Sequence, residues 1–270
     1  MPNYCSPSKI SHKSINTCYD SDDITAIATA FNKYIKTSTI CKDDICISSQ
    51  PIDLNIGDEQ LYKELTNRLS ILCDKEFCWT DLHFIQEIKD KNLRDSILYF
   101  TFKPKGLPSK KTWFNSNNIN EIMEQYQDMY TDTFTFLGAL PSDFSKIAIV
   151  DWKTIKKTPY IGIIFNTDPH NKPGTHWIGV FIDNKKHTVD YFDSLGKLPN
   201  KNISSFLKYF KNYQFTFNQK EHQKGGSNCG VYSCYFIIQR LKGKSFEDIT
   251  KKLISDKKMT DYRSFLFRPN

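Results

Sequence analysis

The chain has 270 residues, of which 39% are hydrophobic and 14% aromatic, and its formal net charge is +7. This composition excludes an intrinsically disordered chain, and the length suits one large domain or two modest ones. No apolar run approaches the roughly 20 residues of a membrane-spanning helix, and the first residues lack the apolar core of a secretory signal. We therefore expect a soluble protein, not secreted, that stays in a reducing compartment.

Eight cysteines bear on that expectation. The chain is too long and too apolar for a scaffold that depends on disulfides. Two pairs share one spacing, so a four-thiolate zinc site is conceivable, but neither pair has a glycine-rich knuckle around it. We expect free, buried thiols and no metal at the positions outside the candidate site, which are Cys5, Cys18, Cys41, Cys46, Cys73, Cys78 and Cys234.

The first part of the chain has helical patterns. Residues 22–36 carry acids at their start and lysine at their end, as a helix dipole favours. Residues 58–73 place four leucines on one face, and a third helix is predicted over 80–92. The stretch 103–111 is rich in Pro, Gly and Lys, which indicates a boundary. We predict a mainly helical N-terminal arm domain, residues 1–109, before a second domain, residues 110–270.

The second domain mixes both kinds of element, which indicates an α/β or α+β fold. Runs rich in Ile, Val, Phe and Tyr predict strands over 146–151, 160–166, 176–183, 187–194 and 213–218. Helices are predicted over 119–130, 203–212, 231–243 and 246–255.

The segment HWIGVFIDNKKHTVDYFDS predicts a β-hairpin that turns at residues 183–186. If the turn is centred between Asn184 and Lys185, His176 lies directly opposite Asp193. Opposed Cβ atoms in an antiparallel pair are about 4.5–5.5 Å apart. A carboxylate at that range accepts a hydrogen bond from one imidazole nitrogen and stabilises the imidazolium.

The segment QKGGSNCGVYSCYF places Cys229 between a glycine-rich turn and an apolar helix. A helix N-terminus and an adjacent imidazolium both favour a thiolate, which can attack an acyl carbon. Gln223 could donate to an oxyanion, and Gly230 would let a substrate carbonyl approach the backbone. Asn228 is a further candidate for substrate binding.

Each of these residues also has a simpler explanation. A cysteine at the start of an apolar helix is usually a core residue, and an aspartate before Ser-Leu-Gly is often a turn residue. His170, His187 and His222 are alternative bases, but the sequence offers none of them a paired acid. The joint occurrence of His176, Asp193 and Cys229 is what favours a catalytic site.

The net charge is concentrated in residues 195–258, which contain 12 Lys and one Arg against four acids, a balance of +9. A basic sector of this kind attracts nucleic acid or an acidic protein surface. A solvated lysine-rich surface is the simpler interpretation. A nucleic-acid-binding module without catalysis therefore remains an alternative function.

The spacing of HW, of Asp in YFDSL and of Q-x5-CG resembles the adenain-like cysteine proteases of clan CE, which include SUMO-specific proteases and the adenovirus protease. The resemblance implies an α+β catalytic core without cofactor, with His176 as base, Asp193 as orienting acid, Cys229 as nucleophile and Gln223 as oxyanion donor. It also implies that Trp177 covers a narrow groove for the glycines of the substrate. The segment 113–126 is similar to the one that borders this groove in the family.

The segments CKDDICISSQP and MTDYRSFLFRPN resemble the polyprotein-processing proteases of African-swine-fever-type viruses. This resemblance implies cleavage after Gly-Gly-Xaa-type sites of viral structural polyproteins, in the host cytoplasm and the virion. Those viral proteases carry an amide residue where this chain has Asp193, which follows the SUMO-protease pattern. An isopeptidase that removes SUMO or ubiquitin from host conjugates is therefore the alternative enzyme.

Overall fold

The computed structural model describes residues 4–9, 15–42, 45–148 and 151–269. The chain divides into two compact units, Met1–Lys103 and Pro104–Asn270. This division lies six residues before the boundary expected from the sequence. Each unit has its own hydrophobic core.

The described residues of the N-terminal unit form four α-helices and a small two-stranded sheet. Helix α1 begins at an N-terminal capping box made by Asp20 and Asp23, and its apolar face packs against α2. The described elements are α1 (Ser21–Tyr34), β1 (Cys41–Lys42), β2 (Ile45–Cys46), α2 (Asp58–Leu69), a 3₁₀ helix (Glu76–Asp81), α3 (His83–Gln86), α4 (Lys91–Asp95) and a π-helical turn (Ser96–Phe100).

The single helix predicted over 80–92 is wrong. Leu82 has extended backbone angles, so it separates the 3₁₀ helix from α3. Asp90 is extended as well, and its side chain accepts a hydrogen bond from the backbone N–H of Leu93, which starts α4. Local capping therefore divides a segment whose apolar pattern alone looked continuous.

Six cysteines of the N-terminal unit form disulfides, so the expectation of free thiols is wrong for them. The pairs are Cys5–Cys18, Cys41–Cys46 and Cys73–Cys78. The second pair faces across β1 and β2, which explains its spacing. Because a sulfur in a disulfide is not a thiolate, these pairs do not form a four-thiolate zinc site. The disulfides also remove the support that free thiols gave to a reducing compartment. Cys229 and Cys234 are free and buried, as expected.

The C-terminal unit is built on a mixed five-stranded sheet in the order β3-β4-β5-β6-β7. The outer pairs β3–β4 and β6–β7 are parallel, and the inner pairs are antiparallel. The strands are β3 (Phe134–Leu140), β4 (Tyr160–Asn166), β5 (Trp177–Asp183), β6 (Thr188–Phe192) and β7 (Gln214–Phe217). The predicted α+β class is confirmed.

Strand β3 was missed in the sequence, and the strand predicted next along the chain is partly wrong. Strand β3 was not predicted, because Gly138 has a positive φ and the pairing register shifts between Phe136 and Ala139, which interrupts the alternation. The strand predicted over 146–151 is wrong at its start, where Phe144–Ile147 forms a short helix after Pro141. Residues 149–150 lie outside the described residues.

Helices cover both faces of this sheet. The described helices are α5 (Ser116–Met129), α6 (Phe144–Ile147), α7 (Trp152–Ile155), α8 (Lys201–Leu207), α9 (Cys229–Leu241), α10 (Phe246–Thr250) and α11 (Asp256–Leu266). Helix α9 is buried from Cys229 to Gln239 and packs on β5, where every residue is buried. Gly179 permits this approach, because a Cβ there would lie 3.0 Å from Phe236. Helix α11 was missed in the sequence.

The turn between β5 and β6 differs from the predicted one. The register pairs Asp183 with Thr188 and Gly179 with Phe192, two residues away from the register that placed His176 opposite Asp193. The loop therefore has four residues, and its positive φ falls on His187 rather than on Asn184. The Asp183 carboxylate accepts the backbone N–H groups of Lys185 and Lys186, which explains the longer loop.

Among the described residues, no helix combines the length and the apolar character that crossing a membrane requires.

We predict that Gly179→Val destabilises the protein by about 1–3 kcal/mol, because the added atoms overlap α9 where it packs on β5. The free energy of unfolding in urea measures the change. Gly225→Ala is the matched control, because nothing lies within 4 Å of a Cβ at that position. Equal stability of the Gly179→Val and Gly225→Ala variants would contradict the close packing.

Candidate active site

The structure brings His176 and Asp193 together, as the sequence predicted. Nε2 of His176 lies 2.7 Å from Oδ1 of Asp193; the Asp193 side chain is buried and the His176 side chain is 14% exposed. His176 directly precedes β5 and Asp193 directly follows β6, so the pair sits at one end of two adjacent strands. The pairing was correct although the register used to derive it was wrong, because both residues lie just outside the hydrogen-bonded ladder.

Asp193 is held in place by residues that the sequence analysis did not single out. Asn218, at the end of β7, accepts the backbone N–H of Asp193 and donates to its carbonyl. The backbone N–H of Leu195 donates to the same carboxylate oxygen that binds His176, at 2.8 Å. The sequence signal that could have identified Asn218 is its position. It is an amide residue directly after β7, the strand that runs parallel to β6.

His176 also interacts with the side chain of Cys229, and this interaction favours the protonated imidazole by raising its pKa. Nε2 of the imidazole faces Asp193, so Nδ1 is the nitrogen left for the sulfur. Burial lowers the pKa of His176, but hydrogen bonds and charge interactions with Asp193 and Cys229 outweigh it and raise the pKa to about 9. The imidazolium is therefore favoured at neutral pH, and it attracts a thiolate.

Cys229 is the first residue of α9, and it is 3% exposed. The helix N-terminus directs backbone N–H groups toward the sulfur and toward any oxyanion beside it. Cys234, one turn further along, is fully buried, and burial raises the pKa of its thiol above the usual range. Cys234 is the core residue that the sequence indicated.

Trp177 follows His176 and its indole is fixed by a 2.8 Å hydrogen bond from Nε1 to the carbonyl of Phe114. The Phe114 ring in turn lies against Gly230, where a Cβ would approach it to 2.8 Å. Packing on Phe114 therefore explains the glycine, and its expected contact with a substrate carbonyl stays a prediction.

A cleft of about 480 Å³ extends from Trp177. Trp113, which is 54% exposed, lines it together with Phe114. The loop before His176, which includes Asp168 and His170, forms its other side. The sequence resemblance placed the segment 113–126 beside the groove, but it did not indicate Trp113 as a residue that lines it.

Gln223 and Asn228 make hydrogen bonds within the protein. Ser194 donates to Oε1 of Gln223 at 2.8 Å, and Nε2 of Gln223 donates to the carbonyls of Gly225 and Gly226 at 3.4 and 3.1 Å. Nδ2 of Asn228 donates to Thr260 of α11 at 3.0 Å. Their proposed contacts with an oxyanion and a substrate stay predictions.

The three alternative histidines lie elsewhere. The expectation that His170 has no acid is wrong, because its Nδ1 lies 2.8 Å from Asp143, but its ring is half exposed and faces the cleft. His187 stands in the turn at the far end of the hairpin. His222 is buried, accepts the backbone N–H of Ile254, and burial, with the nearby Lys220, lowers its pKa to about 4.

Comparison with known proteins agrees with this arrangement. The profile "Ulp1 protease family, C-terminal catalytic domain" matches residues 143–270, which include His176, Asp193 and Cys229. "Putative thiol protease R355" of Acanthamoeba polyphaga mimivirus is 32% identical over 286 residues, covering 98% of this chain and 93% of that protein. The chain belongs to the Ulp1 protease family.

A further relative and a solved structure that resemble this Ulp1-family chain come from African swine fever virus. "Cysteine protease S273R" is 25% identical, covering 78% of this chain and 90% of that protein. The crystal structure of the pS273R protease superposes with a TM-score of 0.63 at 19% identity, covering 100% of this chain and 97% of that one, which shows a common fold. The protein is thus a cysteine protease of the viral, SUMO-protease-like type.

The raised pKa of His176 predicts how stability depends on pH. A group whose pKa rises on folding stabilises the protein fully below its unfolded value, about 6.5, and this contribution is lost as the pH rises through about 9. We expect the free energy of unfolding to fall by up to about 3 kcal/mol over this range. Urea unfolding at pH 6 and pH 9.5 measures the fall.

The matched control for this prediction is His176→Ala, in which the fall should be largely absent. Asp193→Asn should reduce it, because the imidazolium loses its carboxylate partner. An unchanged pH dependence in His176→Ala would assign the fall to other groups.

Proposed function

We propose that this cysteine protease cleaves after glycine-containing sites of the Gly-Gly-Xaa type, in viral structural polyproteins that are processed during virion maturation. The observation that carries the proposal is the contact of one imidazole, His176, with both Asp193 and Cys229 at the start of α9, beside the fixed indole of Trp177. This geometry suggests a role in the reaction for each of these residues.

The thiolate of Cys229 attacks the carbonyl carbon of the scissile peptide bond, and His176 carries the proton that the thiol has lost. His176 then gives that proton to the leaving amine, the carbon–nitrogen bond breaks, and a thioester forms on Cys229. Water attacks the thioester while His176 takes its proton, and Cys229 leaves as thiolate. Asp193 keeps the imidazole oriented and stabilises its positive charge in each step.

The oxyanion of each tetrahedral intermediate forms next to the N-terminus of α9. The backbone N–H of Cys229 and the Nε2 group of Gln223 are the donors that we assign to it. Ser194 holds the other amide atom of Gln223, Oε1, at 2.8 Å and so orients the side chain. During the reaction Nε2 exchanges its long contacts with the carbonyls of Gly225 and Gly226 for the oxyanion.

Glycine selectivity follows from the walls beside the thiol. The indole of Trp177 is held by Phe114, and Cys229 and Trp177 are only 3% and 8% exposed. An extended Gly-Gly segment presents no side chain to such walls, whereas a larger residue would need to displace a ring that is hydrogen-bonded in place. Polyproteins and ubiquitin-like modifiers both present glycines of this kind.

The alternative enzyme activity is an isopeptidase that removes SUMO or ubiquitin from host conjugates. Asp193 favours this alternative, because it follows the SUMO-protease pattern, and the groove beside Trp177 accepts the glycines of either substrate.

Membership of a protease family removes the hypothesis of a purely nucleic-acid-binding module. DNA binding by the lysine-rich residues 195–258 alongside catalysis, and a location in the viral factory and the virion, stay predictions.

Two fluorogenic substrates distinguish the candidate activities. One is a peptide that spans Gly-Gly-Xaa, and the other is a SUMO or ubiquitin C-terminal conjugate. We expect turnover of the peptide by wild-type protein and none by Cys229→Ala, because only the sulfur forms the thioester. Turnover of the conjugate alone would replace the proposal with the isopeptidase.

Two further variants test the assigned roles with the substrate that is turned over. Gln223→Ala should lower kcat by about 10²–10³-fold with little change in KM, since an oxyanion donor acts in the transition state. Cys234→Ala is the matched control for a cysteine of the same helix and should keep wild-type kcat. Full activity of Gln223→Ala would remove that residue from the oxyanion site.

A further inference from the structure

Arg263 extends from α11 to the turn that carries the nucleophile, and its side chain is buried, with 6% exposure. Nε donates to Oδ1 of Asn228 at 3.0 Å, and Nη2 donates to the carbonyl of Ser227 at 2.9 Å. Nη1 donates to the carbonyl of Thr112 at 2.8 Å. One guanidinium therefore joins the two residues before Cys229 to the segment that begins the groove.

The guanidinium also packs on the wall of that groove. Its central carbon lies 4.9 Å from the centre of the Phe114 ring, the residue whose carbonyl holds Trp177 and whose ring contacts Gly230. Other contacts attach the same helix to this region: Asn228 donates to Thr260, and the Tyr232 hydroxyl donates to Asp256. Arg263 is the cation of this set, and it joins residues 227–228 to Thr112.

All the acceptors that Arg263 uses are neutral. Among the described residues, no carboxylate lies within 4 Å of it, whereas Arg240 of the same unit, whose side chain is 9% exposed, has Asp190 at 2.9 Å. A buried charge without an opposite charge is costly, so such a residue is expected to have an anionic neighbour in some state of the protein. Burial lowers the pKa of Arg263, and charge interaction with Cys229 opposes that shift.

We propose that Arg263 is a positioning residue for the nucleophile, which fixes the turn of residues 227–229 against the groove and stabilises the thiolate of Cys229 by its positive charge. The inference rests on the proposed role of Cys229. His176, before β5, and Arg263, on α11, both have charge interactions with Cys229. The nearby Asp256 carboxylate is occupied by Tyr232 and by the backbone N–H of Lys224.

The charge of Arg263 has a use in both halves of the reaction. It favours the anionic sulfur that attacks the substrate, and it favours the same anion as the leaving group when water hydrolyses the thioester. The imidazole changes its protonation state during each half-reaction, but a guanidinium remains protonated throughout. Arg263 therefore supplies the constant part of the positive potential at Cys229.

The test is alkylation of Cys229 by iodoacetamide across pH 5 to 10, with the labelled residue identified by mass spectrometry. This reaction needs no substrate and reports the thiolate. In Arg263→Gln we expect alkylation at pH 6 to fall about tenfold and its midpoint to rise by about one pH unit. Arg263→Lys keeps the charge but not the forked donors, so it should keep the midpoint and lose about tenfold in kcat.

Arg240→Gln is the matched control. The Arg240 side chain is only 9% exposed and also lies 4.9 Å from an aromatic ring, that of Phe181, but its charge is paired with Asp190. The Arg240–Asp190 contact is an ion pair whose alignment is too poor for a hydrogen bond. Arg240→Gln should lower the midpoint of thermal unfolding without moving the alkylation midpoint.

Each outcome decides the proposal. A folded Arg263→Gln with the wild-type alkylation profile, or Arg263→Lys with wild-type kcat, would overturn it. Failure of both variants to fold would make Arg263 a structural residue and also overturn it. If wild-type Cys229 is not selectively alkylated at all, the assignment of the nucleophile fails instead, which separates the two hypotheses.

Discussion

The packing of α9 against β5 is the constraint on which the rest of the catalytic unit depends. Gly179 allows the helix to lie directly on the strand, with Phe236 and the backbone of Ser233 at its surface. The same contact brings the first residue of α9, Cys229, beside His176, the residue that precedes β5. The distance between nucleophile and base is thus set by a helix–sheet contact in the core rather than by a loop.

A second layer of contacts then orients the groups at this end of the sheet. Asn218 fixes the backbone of Asp193 from the parallel strand β7, and Ser194 orients Gln223. Phe114 holds Trp177 through its carbonyl and packs on Gly230 with its ring. The polar groups are satisfied by one another, so the site keeps its geometry at little cost in unpaired buried atoms.

Much of this was predictable from the sequence, and the failures have physical reasons. Strands β4 to β7 and helix α9 have strong apolar patterns, and the His176–Asp193 pair tolerated a wrong register because it lies beyond the ladder. Strand β3 was hidden by a bulge and helix α11 by its polar, lysine-rich pattern. The disulfides of the N-terminal unit join cysteines only 5 or 13 residues apart, but their formation depends on how the fold brings the sulfurs together. Asn218 and Arg263 act through tertiary contacts that no local pattern encodes.

The attachment of α11 to the nucleophile turn has a consequence for the synthesis of the protein. Asn228 donates to Thr260 and accepts from Arg263, and the Tyr232 hydroxyl donates to Asp256. The carbonyls of Thr112 and Ser227 accept from Arg263. Because α11 follows His176, Asp193 and Cys229 in the chain, these three residues are synthesised before the helix that supports the turn of residues 227–229. The hydrogen bonds that hold this turn therefore form only after residues 256–263 have been made.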